Sequence, residues 1–552
     1  MRRLSGLFAL LFSSACAGPA WQQAPHDQRF QRVPAPVLHE KPDTADISDW
    51  WYTIEQTTTR PLGEVLAPIH WIDEATGGVR AHDINAFGEV LDSSWFTNRI
   101  GKRPLSSEQI ARGPNTLEEP AEGPLTVLSG KLTGASPGLV VVDTDGHRFL
   151  VKFDPPAYPG LASGAELIAT KILWATGYNV PENYVFRFDS KRLHIASGAR
   201  APASAGETAP LTEAHLEDLI YHANPDAQGR VTALFSRIVE GEPIGPFTYS
   251  GKRKDDPNDT IPHERRRSLR GYRWLSAWLN NTDTRASNTF DVFRPVEGDE
   301  GHVVHYLIDF GDALGSMGTQ PKHQGLGYDP IFSWGVIFEQ LFTAGLRYRY
   351  WLPAERSHYR SIGLFEGEVF EPERWSPGTP NPAFDEATAE DDFWAASLIA
   401  RFSQEDVEAV VAKAKYRDPG AAEYIVKVLM ERREKILRMA FSRVAPLVDP
   451  VVEDGHVRFT DLGRTERLDL RPDVRYRIDF KDAEGGASLA SASTAEPELD
   501  LRPALRAASD DHVFFVLEIT RIRRGEDQPS LQLYLRREGE RLWPIGLRRE
   551  SR

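Results

Sequence analysis

The chain of 552 residues has a single cysteine, Cys16, so no disulfide can staple its domains and no paired-cysteine metal motif exists. Stability has to come from buried cores. No stretch beyond the N-terminus reaches the roughly 18 uninterrupted apolar residues that a spanning helix needs. The nearest, 331–346, is interrupted by Glu339 and reads as a buried helix. His-Glu-x-x-His and Walker loops are also missing, which removes zinc-hydrolase and P-loop readings. Basic residues are outnumbered, 65 Lys and Arg against 80 Asp and Glu, and the net charge of -15 argues against nucleic acid as a partner. What is present, 41% hydrophobic residues and 13 tryptophans, describes a globular chain with large cores. Its length exceeds the roughly 250 to 300 residues at which single cores stop growing, so several folding units are expected.

Residues 1–17 run from Met1-Arg2-Arg3 through an apolar stretch to Ser13-Ser14-Ala15-Cys16-Ala17, the order of an export signal. The position of Cys16 at the end of that run is where a bacterial lipoprotein is lipidated. The expectation is an exported protein held at the cell envelope, on the periplasmic or outer surface, by a lipid on Cys16; cleavage after the small-x-small triplet Ala15-Cys16-Ala17 is the alternative. Residues 18–116, proline-rich with isolated Trp50, Trp51, Trp71 and Trp95, read as an N-terminal extension packed on the core or as a small separate domain.

From 117 to 445 the pattern sharpens into a core. Strands are expected at 125–128, 138–142 and 149–153, the last two joined by the turn Asp143-Thr144-Asp145-Gly146. A helix follows at 163–176, with Ser163 as cap and Gly177 as stop, and then strands at 184–188 and 231–239. A helix at 262–280 leads into Asp283, and two strands, 288–293 and 303–310, come next. Helices dominate from 331 to 445, notably 391–401 and 421–441. In 446–552 the period changes to two (Val474, Tyr476, Ile478, Phe480; Leu531, Leu533, Leu535), so this tail reads as a β-sandwich-like domain.

The residues that carry chemistry lie in the core. Leu307-Ile308-Asp309-Phe310-Gly311 ends a strand, and Asp283 stands five residues before Asn288 just upstream. Phosphoryl transfer needs a carboxylate and an amide oxygen to hold metal, and a second carboxylate to orient the attacking hydroxyl. Lys152, alone inside the apolar strand Phe149-Leu150-Val151-Lys152-Phe153, needs an anionic partner, and Glu166 on the next helix is placed to supply one. Taken singly, an edge lysine reaching water and a solvent-facing glutamate explain the same residues. Gly134-Ala135-Ser136-Pro137-Gly138 matches a hydrolase nucleophile elbow in letters only. A strand follows it, and Pro137 has no N–H for an oxyanion. It reads as a phosphate-covering turn or as a plain hairpin turn. Arg265-Arg266-Arg267 reads as a solvated helix start, or as an anion-steering patch.

Residues 125–315 resemble the atypical kinase superfamily that includes HipA-like and phosphoinositide kinases. The resemblance rests on the Gly134–Gly138 turn, Val151-Lys152-Phe153, the helix with Glu166 leading to Gly177-Tyr178-Asn179-Val180-Pro181, the Asp283 to Asn288 spacing and Asp309-Phe310-Gly311. It implies an α+β, two-lobed kinase-like core with a β-rich N-lobe and a helical C-lobe, binding ATP with Mg2+ or Mn2+. Lys152, with Gly134 and Ser136, would contact phosphate; Glu166 would pair with Lys152; Asp283 would be the base; Asn288 and Asp309 would hold metal; and the segment with Glu240 would line the adenine. No His-Arg precedes Asp283, no Gly-x-Gly-x-x-Gly loop occurs and no Ala-Pro-Glu follows Asp309, which sets the chain apart from ordinary eukaryotic-type protein kinases. The expected function is ATP-dependent transfer to a protein or small-molecule acceptor. Because little ATP reaches the outside of the inner membrane, a non-catalytic pseudokinase-like scaffold and an AMP transferase stand as alternatives.

Overall fold

The computed structural model describes residues 35–47, 52, 54–60, 78–131, 137–202, 207–328, 342, 349–468, 474–483, 486–509 and 512–551. Cys16, Trp50, Trp51, Trp71, Gly134, Ser136 and all but Phe342 of the 331–346 segment lie outside these residues. The chain divides into two compact units, one of 35–82 and 94–439, the other of 83–93 and 440–552.

The first unit opens with α1 (Ser107–Arg112) and a seven-stranded sheet. Its strands are β1 (Leu125–Gly130), β2 (Gly138–Val142), β3 (Arg148–Lys152), β4 (Asn183–Asp189), β5 (Leu193–Pro202), β6 (Thr208–Pro210) and β7 (Arg230–Arg237), in the order β4-β7-β3-β2-β1-β5-β6. Alternate residues Leu125, Val127, Leu139, Val141, Phe149 and Val151 turn to one side and form a core with Tyr184, Phe186, Phe188 and Phe235. The β2–β3 turn is the one the sequence marks: Gly146 takes φ +84°, and Asp143 Oδ1 accepts from the amides of Asp145 (3.0 Å) and His147 (2.8 Å).

The helix after β3, α2 (Leu161–Thr176), is buried on almost every side and packs on β4 and β7. Ser163 is not its cap. Asp154 accepts from the amides of Gly160, Ala162 and Ser163, each at 2.9 Å, and from the Ser163 hydroxyl, so the capping carboxylate comes from the loop that ends β3. β5, which runs parallel to β1, and α3 (Glu213–His222) are elements the sequence reading omits.

The second lobe of this unit begins with α4 (Arg267–Leu279) and a small sheet in the order β10-β9-β8, with β8 at Glu242–Pro243, β9 at Thr289–Glu297 and β10 at Glu300–Leu307. α5 (Ala389–Ile399), α6 (Gln404–Ala412) and α7 (Pro419–Arg443) complete it. The arginine run at the start of α4 is not solvated. Arg266 pairs with Asp259 (2.9 Å) and lies over the Trp95 ring, while Arg267 and Arg270 share the buried Asp391 (2.7 and 3.0 Å). Part of the N-terminal stretch is built into this unit. His39 bridges to Gly301, Ala45 N–H donates to Ile244 C=O (2.9 Å), and Trp95 stacks on His305 with ring centres 3.6 Å apart.

The other unit is a β-domain. β11 (Leu447–Glu453), β12 (His456–Asp461) and β15 (Glu498–Asp500) form one sheet. β13 (Val474–Asp482), β14 (Ser488–Thr494), β16 (Phe514–Arg523), β17 (Glu526–Asp527), β18 (Leu531–Glu538) and β19 (Arg541–Arg549) form a second. Period-two patterning is the cause: Val474, Tyr476, Ile478 and Phe480 point inward with Leu531, Leu533 and Leu535, joined by Leu447, Val457 and the short α8 (Arg502–Ala507) in one core. Residues 83–93 belong here, with Ala86 C=O accepting from Leu547 N–H at 2.8 Å.

Candidate functional site

β3 ends on Lys152, and its ammonium is held from two directions. Glu166, one turn into α2, contacts it through both oxygens (3.1 and 2.9 Å), and Asp309 Oδ1 lies 2.9 Å away. The side chains of Lys152 and Glu166 are 14% and 4% exposed, whereas that of Asp309 is 53% exposed. Burial pushes the ammonium down, but the two carboxylates outweigh it and hold the lysine above its ordinary range. Burial raises the Glu166 carboxyl, an effect the Lys152 charge only partly offsets. For Asp309 the desolvation is overcome by Lys152, and its carboxyl is held below the usual value.

Asp309 follows β10 with φ +59°, a left-handed conformation that Asp tolerates better than most residues. The β9–β10 hairpin sets its neighbour: Thr289 pairs with Leu307, and Ile308 N–H donates to Asn288 C=O (3.1 Å), so Asn288 and Asp309 leave adjacent strand ends. Asn288 Nδ2 donates to the Asp283 carbonyl (2.8 Å), which turns its Oδ1 away from that contact. The hydrogen-bond network assigns this amide orientation. Asp283 is clasped by Arg285 through both oxygens, with Nε 2.7 Å from Oδ1 and NH2 3.1 Å from Oδ2. Lys152, Glu166 and Asp309 therefore meet directly, while Asp283 and Asn288 join them through the hairpin and the Asp283 carbonyl.

Three neighbours were not singled out from the sequence. Arg285 is one. Asp312, three residues past Asp309, accepts from the Thr282 hydroxyl (2.9 Å) and from Lys322 Nζ (3.2 Å). Lys322, fully buried, also donates to the carbonyls of Asn280 and Asp312, both at 2.6 Å. Burial drives these two groups toward neutrality, raising Asp312 and lowering Lys322. The short spacing of Asp312 from Asp309 is a signal that could have been used. Nothing in the local pattern marks Lys322.

Glu240 stands apart. Its side chain is 83% exposed and pairs with Arg237 (3.3 Å). Gly241 is required there, because at φ +118° a Cβ would lie 2.5 Å from Val292 Cγ1 and 2.7 Å from the Phe293 carbonyl oxygen. Among the described residues no group of three or more His, Cys, Asp or Glu side chains is gathered to hold a metal by itself.

The first unit is thus α+β and two-lobed, a β-rich lobe and a helical lobe, with the Lys152 contacts made between groups from each. No family model matches the chain, and no curated protein sequence does. Among solved structures, the Helicobacter pylori proinflammatory kinase CtkA is similar at 13% identity and a TM-score of 0.29, covering 56% of this chain and 93% of its own. The Golgi casein kinase with Mn and ADP bound is similar at 11% identity and a TM-score of 0.28, covering 73% of this chain and 94% of its own. A further structure of the Golgi casein kinase gives 11% identity, a TM-score of 0.27 and coverages of 74% and 96%. Likenesses this distant leave the chemistry to be argued from the cleft itself.

Proposed function

We propose that this cleft binds ATP with Mg2+ or Mn2+ and transfers a phosphoryl group to a hydroxyl acceptor. The observation that carries the reading is the Lys152 contact: a nearly buried ammonium fixed by a buried helix carboxylate and shared with a half-exposed one. Lys152 would face the phosphates, with Glu166 preventing the ammonium from swinging away. The donor set fits the metal. Asn288 Oδ1 and the Asp309 carboxylate are hard oxygen ligands, and two protein ligands suit an ion whose shell is completed by phosphate and water. Held by Asn288 and Asp309, such an ion would supply charge neutralisation to the phosphates. Asp283 would accept the hydrogen bond of the acceptor hydroxyl and then its proton. Gly134 and Ser136 are proposed as the turn over the phosphates, and the backbone around Glu240 as the adenine edge. A lipid on Cys16 would place the whole at the cell envelope.

The double clasp of Arg285 on Asp283 favours a second reading, a nucleotide-binding scaffold without turnover, because neither Asp283 oxygen is left unpaired toward an acceptor. One experiment separates the possibilities: ATP binding by the purified chain with and without Mg2+, in wild type, Asp309→Ala and Asp283→Ala. Metal-dependent binding should weaken about tenfold or more in Asp309→Ala and persist in Asp283→Ala, with transfer lost only where turnover exists. Equal affinity of wild type and Asp309→Ala removes the metal role.

A further inference from the structure

β4 is an edge strand, and one side of it is open along a cleft of about 970 Å3 that all seven of its residues line. Arg237 N–H donates to Glu182 C=O (2.8 Å), so in this antiparallel ladder residues 184, 186 and 188 direct their backbone groups to β7. Residues 183, 185 and 187 direct theirs the other way. Asn183 shows this, since its carbonyl accepts from Asn115 Nδ2 (2.9 Å) and Lys171 Nζ (3.2 Å). The backbone N–H and C=O of Val185 and Arg187 have no partner among the described residues, and such a row is a template for a further strand.

The cleft is lined by seven Lys and Arg against five Asp and Glu, so it is basic on balance. At its Asn183 end are Arg112, Lys171 and Lys413, none with a carboxylate at ion-pair distance among the described residues. Lys171 is buried, and its three donors are spent on the oxygens of Arg112, Asn115 and Asn183, so its charge is placed but not neutralised. Burial lowers that ammonium to about 7, with the Glu182 charge opposing the shift and Lys413 adding to it. Arg112 and Lys413 are exposed and can reach a ligand.

We infer that this cleft is a docking site for an extended acidic peptide segment of a partner protein, which adds as a strand to the outer edge of β4 and sets an Asp or Glu between Arg112 and Lys413. The backbone of Val185 and Arg187 supplies the ladder. The uncompensated cations fix the register. The site does not depend on nucleotide chemistry, and its failure leaves the Lys152 cleft untouched.

The probe is a fluorescent peptide of about eight residues, alternating valine and threonine and ending in a glutamate pair, compared with a twin ending in lysines. Fluorescence anisotropy is read on the full chain. Arg187→Pro removes one outward N–H while an edge strand tolerates the ring; Arg187→Ala removes the same side chain and keeps the N–H. The acidic peptide should bind wild type and Arg187→Ala within about twofold of each other, and lose about tenfold or more with Arg187→Pro. Lys413→Glu should reverse the preference between the two peptides. Equal binding to Arg187→Pro and Arg187→Ala, no preference for the acidic peptide, or loss of peptide binding only because two copies of the chain pair through β4 overturns the proposal.

Discussion

Replacing Lys152 by methionine keeps the length and bulk of the side chain and deletes its charge, so the consequence falls on Glu166. At 2.9 Å, with an effective dielectric of about 20, the gross attraction within the pair is about 6 kcal/mol. Much of it offsets the desolvation of two buried ions, and removing one partner from such a pair costs about 3 to 5 kcal/mol. The Asp309 arm adds at most about 1 kcal/mol, because that carboxylate is half exposed and screened. The pH dependence gives the sharper test. Burial holds the folded pKa of Glu166 above its ordinary value, so between the two the folded chain keeps a proton that the unfolded chain releases. Its contribution is most favourable below the unfolded pKa and declines as pH rises through the folded one, a decline that Lys152 restrains in the wild type. Without the lysine the folded pKa rises further and the window widens. Lys152→Met should therefore cost about 3 kcal/mol at pH 8 and less at pH 5, because proton uptake relieves the unpaired Glu166 carboxylate as pH falls. The assay is the urea midpoint of the core transition, followed by tryptophan fluorescence at both values. A cost that is the same at pH 5 and pH 8 refutes the reasoning, because it means that Glu166 is not the uncompensated group.

Asp391→Ala leaves Arg267 and Arg270 buried without their shared carboxylate, and should destabilise the core by about 3 to 5 kcal/mol in the same urea assay. For the N-terminus, Cys16→Ser should move the protein from the membrane fraction to the soluble fraction; mass spectrometry should find a diacylated cysteine in wild type, and an unmodified N-terminus there defeats the lipid proposal.

Local rules made much of the fold legible, and the failures have physical causes. Asp143 to Gly146 could be read as a turn because Asp accepts from amides ahead of it and Gly takes φ +84°. The tail could be read because one buried face per sheet imposes period two on residues 474–480. β5 could not, since only two of its ten residues, Leu193 and Ala199, are buried and its pairing with β1 is parallel and distant in sequence. Ser163 has the right chemistry for a cap and lost the position to Asp154, a residue whose reach depends on how the chain leaves β3. The three arginines looked solvated because their carboxylate partners, Glu386, Asp259 and Asp391, are supplied by the tertiary fold. In the site, Lys152 and Glu166 could be linked from the cost of an unpaired buried charge and Asp309 was marked by Asp-Phe-Gly at a strand end, whereas Lys322 is defined only by three oxygens that the folded chain brings to it.

The two arms of the Lys152 contact differ in what it takes to open them, and this difference gives the cleft a direction of entry. Glu166 is buried on a helix whose start is fixed by Asp154, so separating it from Lys152 would strand a carboxylate away from water. Asp309 is half exposed at the end of a strand, and water can replace its contact with little loss. Gly311 keeps the adjoining space clear, since even an added Cβ would stay 3.7 Å from Glu166 Oε2 and 3.8 Å from Asp309 Oδ1. On the proposed function, Lys152 would pass from Asp309 to an arriving anion and Asp309 would hold the accompanying cation, while Glu166 continues to hold the lysine. The exchange would break one charge pair, Lys152–Asp309, and form two. It also explains why the half-exposed residue of the three is the one proposed to meet the metal, and the buried one the residue that holds Lys152 in place.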